Sequence, residues 1–335
     1  MAKKLNHKPG AERQRFRPDV IETYEVVAET TLLPFLFESM PQRKRVTVKD
    51  YLKHNQVAVN NVPLTQFNTE LHPGDVVKVN LSREFQVFYH RRMQLVYEDD
   101  DIIVVNKGYG LLSMGTDKVK EGTAYSIVRD YVKWQDPRNK IFIVHRLDRD
   151  TSGLMMFAKS VEAKEAMQHN WNNMVLNRKY LAVVEGKVEE PEGTIKSYLA
   201  ENTQFEVYST ENPEEGQLAV TRYSTIKSKN GYTLLEVELD TGRKNQIRVH
   251  MKHIGHILFN DERYGGNEIL KGTHFAKYKQ FVNNCFDICP RQALHARTLG
   301  FVHPRTGKEM FFTTELPDDM TQLIERWRTL SQTLG

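Results

Sequence analysis

Residues 141–159, IFIVHRLDRDTSGLMMFAK, constrain this chain more than any other stretch. An apolar run stops abruptly at His145-Arg146-Leu147-Asp148-Arg149-Asp150. A Thr-Ser-Gly turn follows, then a second apolar run over 154–158. Two short apolar runs around a turn predict two buried strands. The charges then sit in the loop at the end of a core strand, where a rigid scaffold presents functional side chains. A carboxylate among apolar residues is costly unless it is paired. Arg146 and Arg149 flank Asp148, and a third arginine can reach it from elsewhere. A surface turn in which Arg and Asp pair with each other, with Gly153 at positive φ, fits the same letters. The rest of the chain must decide between the two.

With 335 residues the chain is long enough for two domains and a sizeable core. It is 39% hydrophobic and 27% charged, a globular composition, and neither a membrane span nor a signal peptide is expected. Its only cysteines, Cys285 and Cys289, imply no disulfide framework, so a cytoplasmic location is expected. They sit one helical turn apart and read as structural thiols. Joining them to His274 or His295 around a metal would need a second tight pair of ligands, which the chain lacks. The net charge is +4, and the start of the chain supplies it: Lys3, Lys4, Lys8, Arg13, Arg15 and Arg17 against Glu12 and Asp19. With Gly10, Pro18 and few large apolar residues, this segment predicts a flexible basic tail over 1–27, able to make phosphate contacts of any sequence.

Residues 30–40 read as a short helix capped by Thr30 or Thr31, with Pro34 in its first turn and Pro41 ending it. Gln42-Arg43-Lys44-Arg45 is a basic joint into a second helix over 47–54, with Thr47 as its N-cap. Residues 57–61 predict a strand entering a tight turn, and 71–75 a turn before an alternating strand over 76–81. Two helices with a basic joint, then V-x-V-N-x and L-x-P-G-D-x-V, resemble the S-four-type RNA-binding domain over residues 28–82. Such a domain would present Arg43, Lys44, Arg45, Lys49 and Lys53 to phosphates, positioning RNA rather than reading its sequence. An ordinary solvated helix face would carry the same charges. Residues 83–94 read as a linker, and 95–335 as the larger domain.

In that larger domain 102–107 predicts a buried strand, followed by a turn at Gly108 and Gly110. Residues 160–174 read as helical, with Ala163, Ala166, Met167 and Trp171 on one face, and 178–186 as a strand. Alternation over 194–199, 219–227 and 232–239 supplies further strands. Many strands with few helices between them favour a mixed or antiparallel α+β sheet over a doubly wound one. HRLDRDTSGL resembles the second motif of the RluA-type pseudouridine synthases. Other stretches agree, in that family's order. Residues 107–111 take the place of its K-P-x-G-L motif, with Gly108 for the proline. Leu112-Ser113-Met114-Gly115 then stands where a V-H-P type is common, a departure expected to alter the rim of the site. Lys179-Tyr180-Leu181-Ala182 resembles the next motif, and residues 241–250 resemble T-G-R-x-x-Q-I-R-x-H, with Asn245 for a common His. Residues 261–265 are similar to G-D-x-x-Y-G with Asn260 for a common Gly, and 292–296 and 301–304 complete a match over 95–312.

The resemblance implies a pseudouridine synthase fold, with a mixed, mainly antiparallel central sheet beside a small N-terminal α/β RNA-binding domain. It implies isomerisation of uridine to pseudouridine in structured RNA. It makes Asp148 the catalytic carboxylate, sets Arg248 beside it, lays Tyr180 against the extruded uracil and gives Leu294 an apolar wall. Arg146 then fills the gap left by the flipped base. These residue types suit the work. A nearby Arg keeps a carboxylate ionised, a dry pocket protects an intermediate from water, and a guanidinium both stacks and bonds phosphate. The bland readings, core packing for Tyr180 and Leu294 and a sheet-to-helix tie for Arg248, can hold as well.

Moving the ribose bond from the uracil nitrogen to carbon 5 changes no oxidation state and adds no atom, so no cofactor and no metal is expected. The chain carries no P-loop, no G-x-G-x-x-G and no metal-ligand cluster. Attack on the ribose, attack on the base and a deprotonated-sugar route all remain open to Asp148. His-Arg-x-Asp lacks the other parts of a protein kinase. A glycosidase using Asp148 and Asp150 would release free uracil. A non-catalytic RNA-binding or ribosome-assembly factor would not need Asp148, Tyr180 and Arg248 together, and Asp150 reads as a structural partner in the turn. The expected partner is RNA, large-subunit ribosomal RNA first and transfer RNA second, with no membrane partner and a monomeric protein.

Overall fold

In a computed structural model, residues 19–60, 62–85, 87–116, 118–229, 231–271 and 275–329 are described. Most of the expected basic tail, to Pro18, and His274 lie outside the described residues. The chain divides into two compact units between residues 87 and 88. No helix among the described residues is long and apolar enough to cross a membrane.

The front unit packs two helices on a small sheet around Leu32, Leu36, Val48, Leu52, Val57, Val77 and Val79. The helix Leu32–Ser39 begins after Thr31, whose side chain makes no cap bond. The second helix is Arg45–Lys53, so Thr47 is inside its first turn and Lys44, not Thr47, occupies the cap position. Val48 and Leu52, one turn apart, anchor it to the core, and the Val48 N–H already donates to Lys44 O at 3.1 Å. A flexible segment through residue 27 is not what forms either: Ile21–Glu25 is a strand that pairs antiparallel with Val76–Asn80. Its alternating letters put Ile21, Thr23 and Glu25 out and Glu22 and Tyr24 part-way in.

The V-N and P-G-D strings meet in space. Asn60, at φ +49°, donates through Nδ2 to Asp75 Oδ1 at 2.8 Å and accepts from the Val76 N–H at 2.9 Å, while the His72 N–H donates to Asp75 Oδ2 at 2.8 Å. That amide and Asn60 hold the Asp75 carboxyl below its usual range. Gly74, at φ +94°, supplies the left-handed position of the second turn.

The second unit is built on one long sheet. Its strands run in the order Val207–Thr210, Glu192–Glu201, Gln217–Lys229, Tyr232–Leu239, Val175–Glu185, Leu294–Val302, Ser152–Ala158, Ile102–Lys107 and Met93–Glu98. All neighbours are antiparallel except Ser152–Ala158 and Leu294–Val302, which are parallel. The fold is therefore α+β with a mixed, mainly antiparallel sheet. Met93–Glu98 belongs to this sheet, so the expected linker over 83–94 is shorter than its composition implied.

At the middle of the sheet the run after the charged loop is a strand buried at every residue. Gly153 lies in that strand rather than in a turn. A Cβ there would stand 2.2 Å from Ala296 O, and φ is +116°, so only glycine lets the two central strands touch. The run before the loop differs from expectation: only Phe142–Ile143 is a strand, and it is half-buried. Ile143 and Val144 each pack against the core on one side and line a cleft on the other. Behind the sheet, Ala276–Ile288 and Asp318–Thr329 enclose Cys285, Cys289 and Trp327, and burial pushes both thiols up to about 12, as inert packing groups.

Candidate active site

The charged loop is gripped from below. Lys107, fully buried at the end of its strand, donates to the carbonyls of Gly108 at 3.0 Å, Leu111 at 2.9 Å and Arg149 at 3.1 Å. Burial pulls its ammonium down to about 7. Ser113 Oγ accepts from the Leu147 N–H at 3.0 Å and donates to the Leu147 carbonyl. Ser113 was expected on the rim; it is 4% exposed and holds the loop backbone. His145 Nε2 accepts from the Met156 N–H at 3.0 Å, and burial next to Arg178 pushes the imidazole down to about 3. Arg291 donates to the Asp150 carbonyl at 3.0 Å and the Leu294 carbonyl at 2.9 Å, and pairs with Asp319 at 2.7 Å.

Arg248 comes from the helix Gln246–His253, which starts behind Asn245 at φ +54°. Asparagine tolerates that left-handed position. The guanidinium makes a two-pronged pair with the buried Asp261, Nε to Oδ2 and Nη2 to Oδ1, both at 2.7 Å. Its Nη1 reaches Asp148 Oδ2 and Asn245 Oδ1, each at 3.3 Å. The two carboxylates and Tyr264, whose ring lies 4.9 Å from its Cζ, hold Arg248 charged against its burial. Asp148 is 22% exposed while Asp261 is fully enclosed, so Asp148 is the carboxylate that faces the cleft.

That cleft, about 660 Å³, is lined by Asp148, Tyr180, Arg248, Leu294 and Arg146, the larger domain's five expected site residues. A second recess of about 500 Å³ shares Arg146, Asp148 and Arg248. Tyr180 and Leu294 are buried on adjacent central strands, and burial raises the Tyr180 phenol above its usual range. Arg146 is exposed, and no carboxylate among the described residues pairs with it. The expected pairing of Asp150 in the turn is a loose 4.0 Å contact with Arg149. In the front unit Lys44, Arg45 and Lys49 are exposed, whereas Arg43 is half-buried and pairs with Glu22 at 3.4 Å.

Sequence reading missed Asp261 as the anchor of Arg248, Ser113 and Lys107 as loop clamps, and Arg178 in the cleft wall. Asp261 was visible only as a letter of a motif, and a buried arginine in a strand carries no local signal. Among the described residues one group gathers possible metal donors, Asp99, Asp101 and His303. Its donors are already engaged: Asp99 with Tyr97 and His303, Asp101 with Arg305.

Residues 101–253 match the family model for RNA pseudouridylate synthase. The chain is 33% identical over 300 residues to the uncharacterized RNA pseudouridine synthase YlyB of Bacillus subtilis, covering 88% of this chain and 93% of that one. It is 33% identical over 299 residues to ribosomal large subunit pseudouridine synthase D of Escherichia coli K12, covering 88% and 89% respectively. The solved structure of human RNA pseudouridylate synthase domain containing 4 shares the fold, with a TM-score of 0.57 at 21% identity over 70% of this chain and 92% of that one. With an α+β sheet of the same architecture and sequence agreement along most of its length, this chain belongs to the RluA-type family of RNA pseudouridine synthases and is an RNA pseudouridine synthase.

Proposed function

We propose that this enzyme isomerises uridines of large-subunit ribosomal RNA, with Asp148 as the catalytic carboxylate. The observation that carries the assignment is the 3.3 Å contact between Arg248 and Asp148 at the mouth of a cleft walled by Tyr180 and Leu294. A target uridine is flipped out of its stack. Its uracil lies on Tyr180 with Leu294 beside it, and Arg146 fills the space it leaves in the RNA. The Arg248 charge favours ionised Asp148, which acts as nucleophile or assists deprotonation at the ribose while the glycosidic bond to nitrogen breaks. The base then turns and rejoins through carbon 5. Carbon 5 gives up its proton to solvent as the freed nitrogen takes one up, so the composition is unchanged and the reaction calls on no cofactor or metal.

The front unit acts as an S-four-type RNA-binding domain. Lys44, Arg45 and Lys49, with Arg43 behind them, contact phosphates and position the RNA. The choice of ribosomal RNA rests on that unit and on the similarity to an enzyme named for the large ribosomal subunit. The protein works as a monomer in the cytoplasm. Pseudouridine maps of total RNA from cells with and without the gene test the target. Loss of specific large-subunit sites is expected; loss confined to transfer RNA would overturn the ribosomal assignment.

A further inference from the structure

Arg178 is a buried cleft cation to which the account above gives no role. It is 8% exposed on the strand Val175–Glu185, two residues before Tyr180, so both side chains leave the same face of the strand. Its guanidinium lies 5.4 Å from the Trp171 ring, and its Nη2 donates to the Leu239 carbonyl at 3.2 Å. Nε and Nη1 have no hydrogen-bond partner and no carboxylate pairs with it among the described residues. The other buried cations of the site are compensated: Arg248 by two aspartates, Arg291 by Asp319, Lys107 by three carbonyls. A buried charge without an adjacent anion is costly, and burial pulls the Arg178 pKa below the usual arginine range, with Tyr180 and Asp240 acting the other way.

The surroundings leave room for an anion. Arg178 lines the cleft beside Gly242, Arg243 and Lys244. A Cβ on Gly242 would stand 2.8 Å from Arg178 Nη1, so glycine at 242 keeps a side chain off the guanidinium. Arg243 is turned to the Leu218 carbonyl and Lys244 to Glu201, while Arg178 has no carboxylate in contact, Asp240 being paired with Arg222. Two residues of strand separate it from Tyr180 by roughly 6–7 Å, the scale on which a ribose separates a base from its own phosphate.

We propose that Arg178 binds a backbone phosphate of the nucleotide whose base lies on Tyr180, completing its charge balance only when RNA is bound. This rests on the reading of the cleft as the place of reaction. An arginine fits the task because its planar fork can donate two hydrogen bonds to one phosphate while Trp171 supports its face. The Leu239 carbonyl and the Trp171 ring fix its direction before RNA arrives, so little ordering remains to be done on binding.

The test compares full-length wild type, Arg178→Met, Arg178→Lys and Asp148→Asn on total RNA tritiated at uracil carbon 5 in cells lacking the gene. Turnover is read by tritium release, and folding by thermal melting. Arg178→Met is expected to melt at or above the wild-type temperature while its KM rises about 10- to 100-fold with a smaller fall in kcat. The slope of log affinity against log salt should flatten by about 0.7. Arg178→Lys should recover part of the KM. A lower melting temperature with KM unchanged would mark Arg178 as a structural tie and overturn the proposal. Turnover retained in Asp148→Asn would overturn the placement of the reaction in this cleft. Turnover lost there, with wild-type KM and salt slope in Arg178→Met, would overturn the phosphate role alone.

Discussion

Asp261 grips Arg248 through two 2.7 Å hydrogen bonds and so fixes the plane of the guanidinium, leaving Nη1 as the edge that meets Asp148 at 3.3 Å. One arginine thus serves a structural carboxylate and an accessible one, on unequal terms. The tight pair is enclosed, and the longer contact opens on the cleft.

Asp261→Asn should therefore damage stability and turnover together. It leaves Arg248 buried with half its compensation, and breaking a buried pair of this kind costs about 3–5 kcal/mol. Denaturant unfolding and tritium release measure the two effects. Arg248→Lys should fare no better, since an ammonium cannot span both carboxylates as a planar fork does. Wild-type stability in Asp261→Asn would contradict the anchoring role.

Tyr180 is assigned a ring to stack on, with its phenol kept protonated by burial. Tyr180→Phe should retain most RNA affinity, and Tyr180→Leu should lose the stacking, worth about 1–3 kcal/mol per base. Binding and turnover of both variants on the same RNA check this. Equal behaviour of Phe and Leu would remove the stacking role.

Acid should destabilise the protein through buried histidines. His250 and His295 are pushed by burial from the ordinary 6.5 down to about 4. Below pH 6.5 the unfolded chain takes up protons that the folded chain refuses, so stability present above that pH is lost as pH falls toward 4. Each histidine contributes a slope of about 1.4 kcal/mol per pH unit in that window. His250 shares hydrogen bonds with Ser197 at 3.1 Å and Thr221 at 2.8 Å. His250→Gln, which can keep such bonds, should flatten the profile by one such slope in denaturant titrations across pH 4–7.

Replacing Lys44, Arg45 and Lys49 together with Gln should weaken RNA binding without regard to sequence. The salt dependence should flatten by about 0.7 to 0.9 for each phosphate contact removed. The three side chains are exposed, so melting should not change. Unchanged affinity and salt slope would mean that this helix face is merely solvated.

Local chemistry was legible in the letters, and long-range pairing was not. The V-N and P-G-D strings announce their turns because Asn60 and Asp75 act on backbone beside them. Asn245 and Asn260 stand where His and Gly are common, and both occupy left-handed positions, at φ +54° and +55°, that asparagine accepts. The second front helix began earlier than Thr47 suggested because burial of Val48 and Leu52 outweighed the cap. Residues 141–144 promised a full strand by hydrophobicity alone, but part of that run walls the cleft. Asp261 and Arg178 were passed over for one reason. What matters about each is a neighbour, or the lack of one, that only folding brings near.

The central claim is that Asp148 performs the chemistry. Asp148→Asn keeps the shape and an acceptor for Arg248 while removing the carboxylate, and release of tritium from uracil carbon 5 reads the reaction directly. The account predicts a folded protein with near wild-type RNA affinity and no release above background. Substantial release by that variant would contradict it.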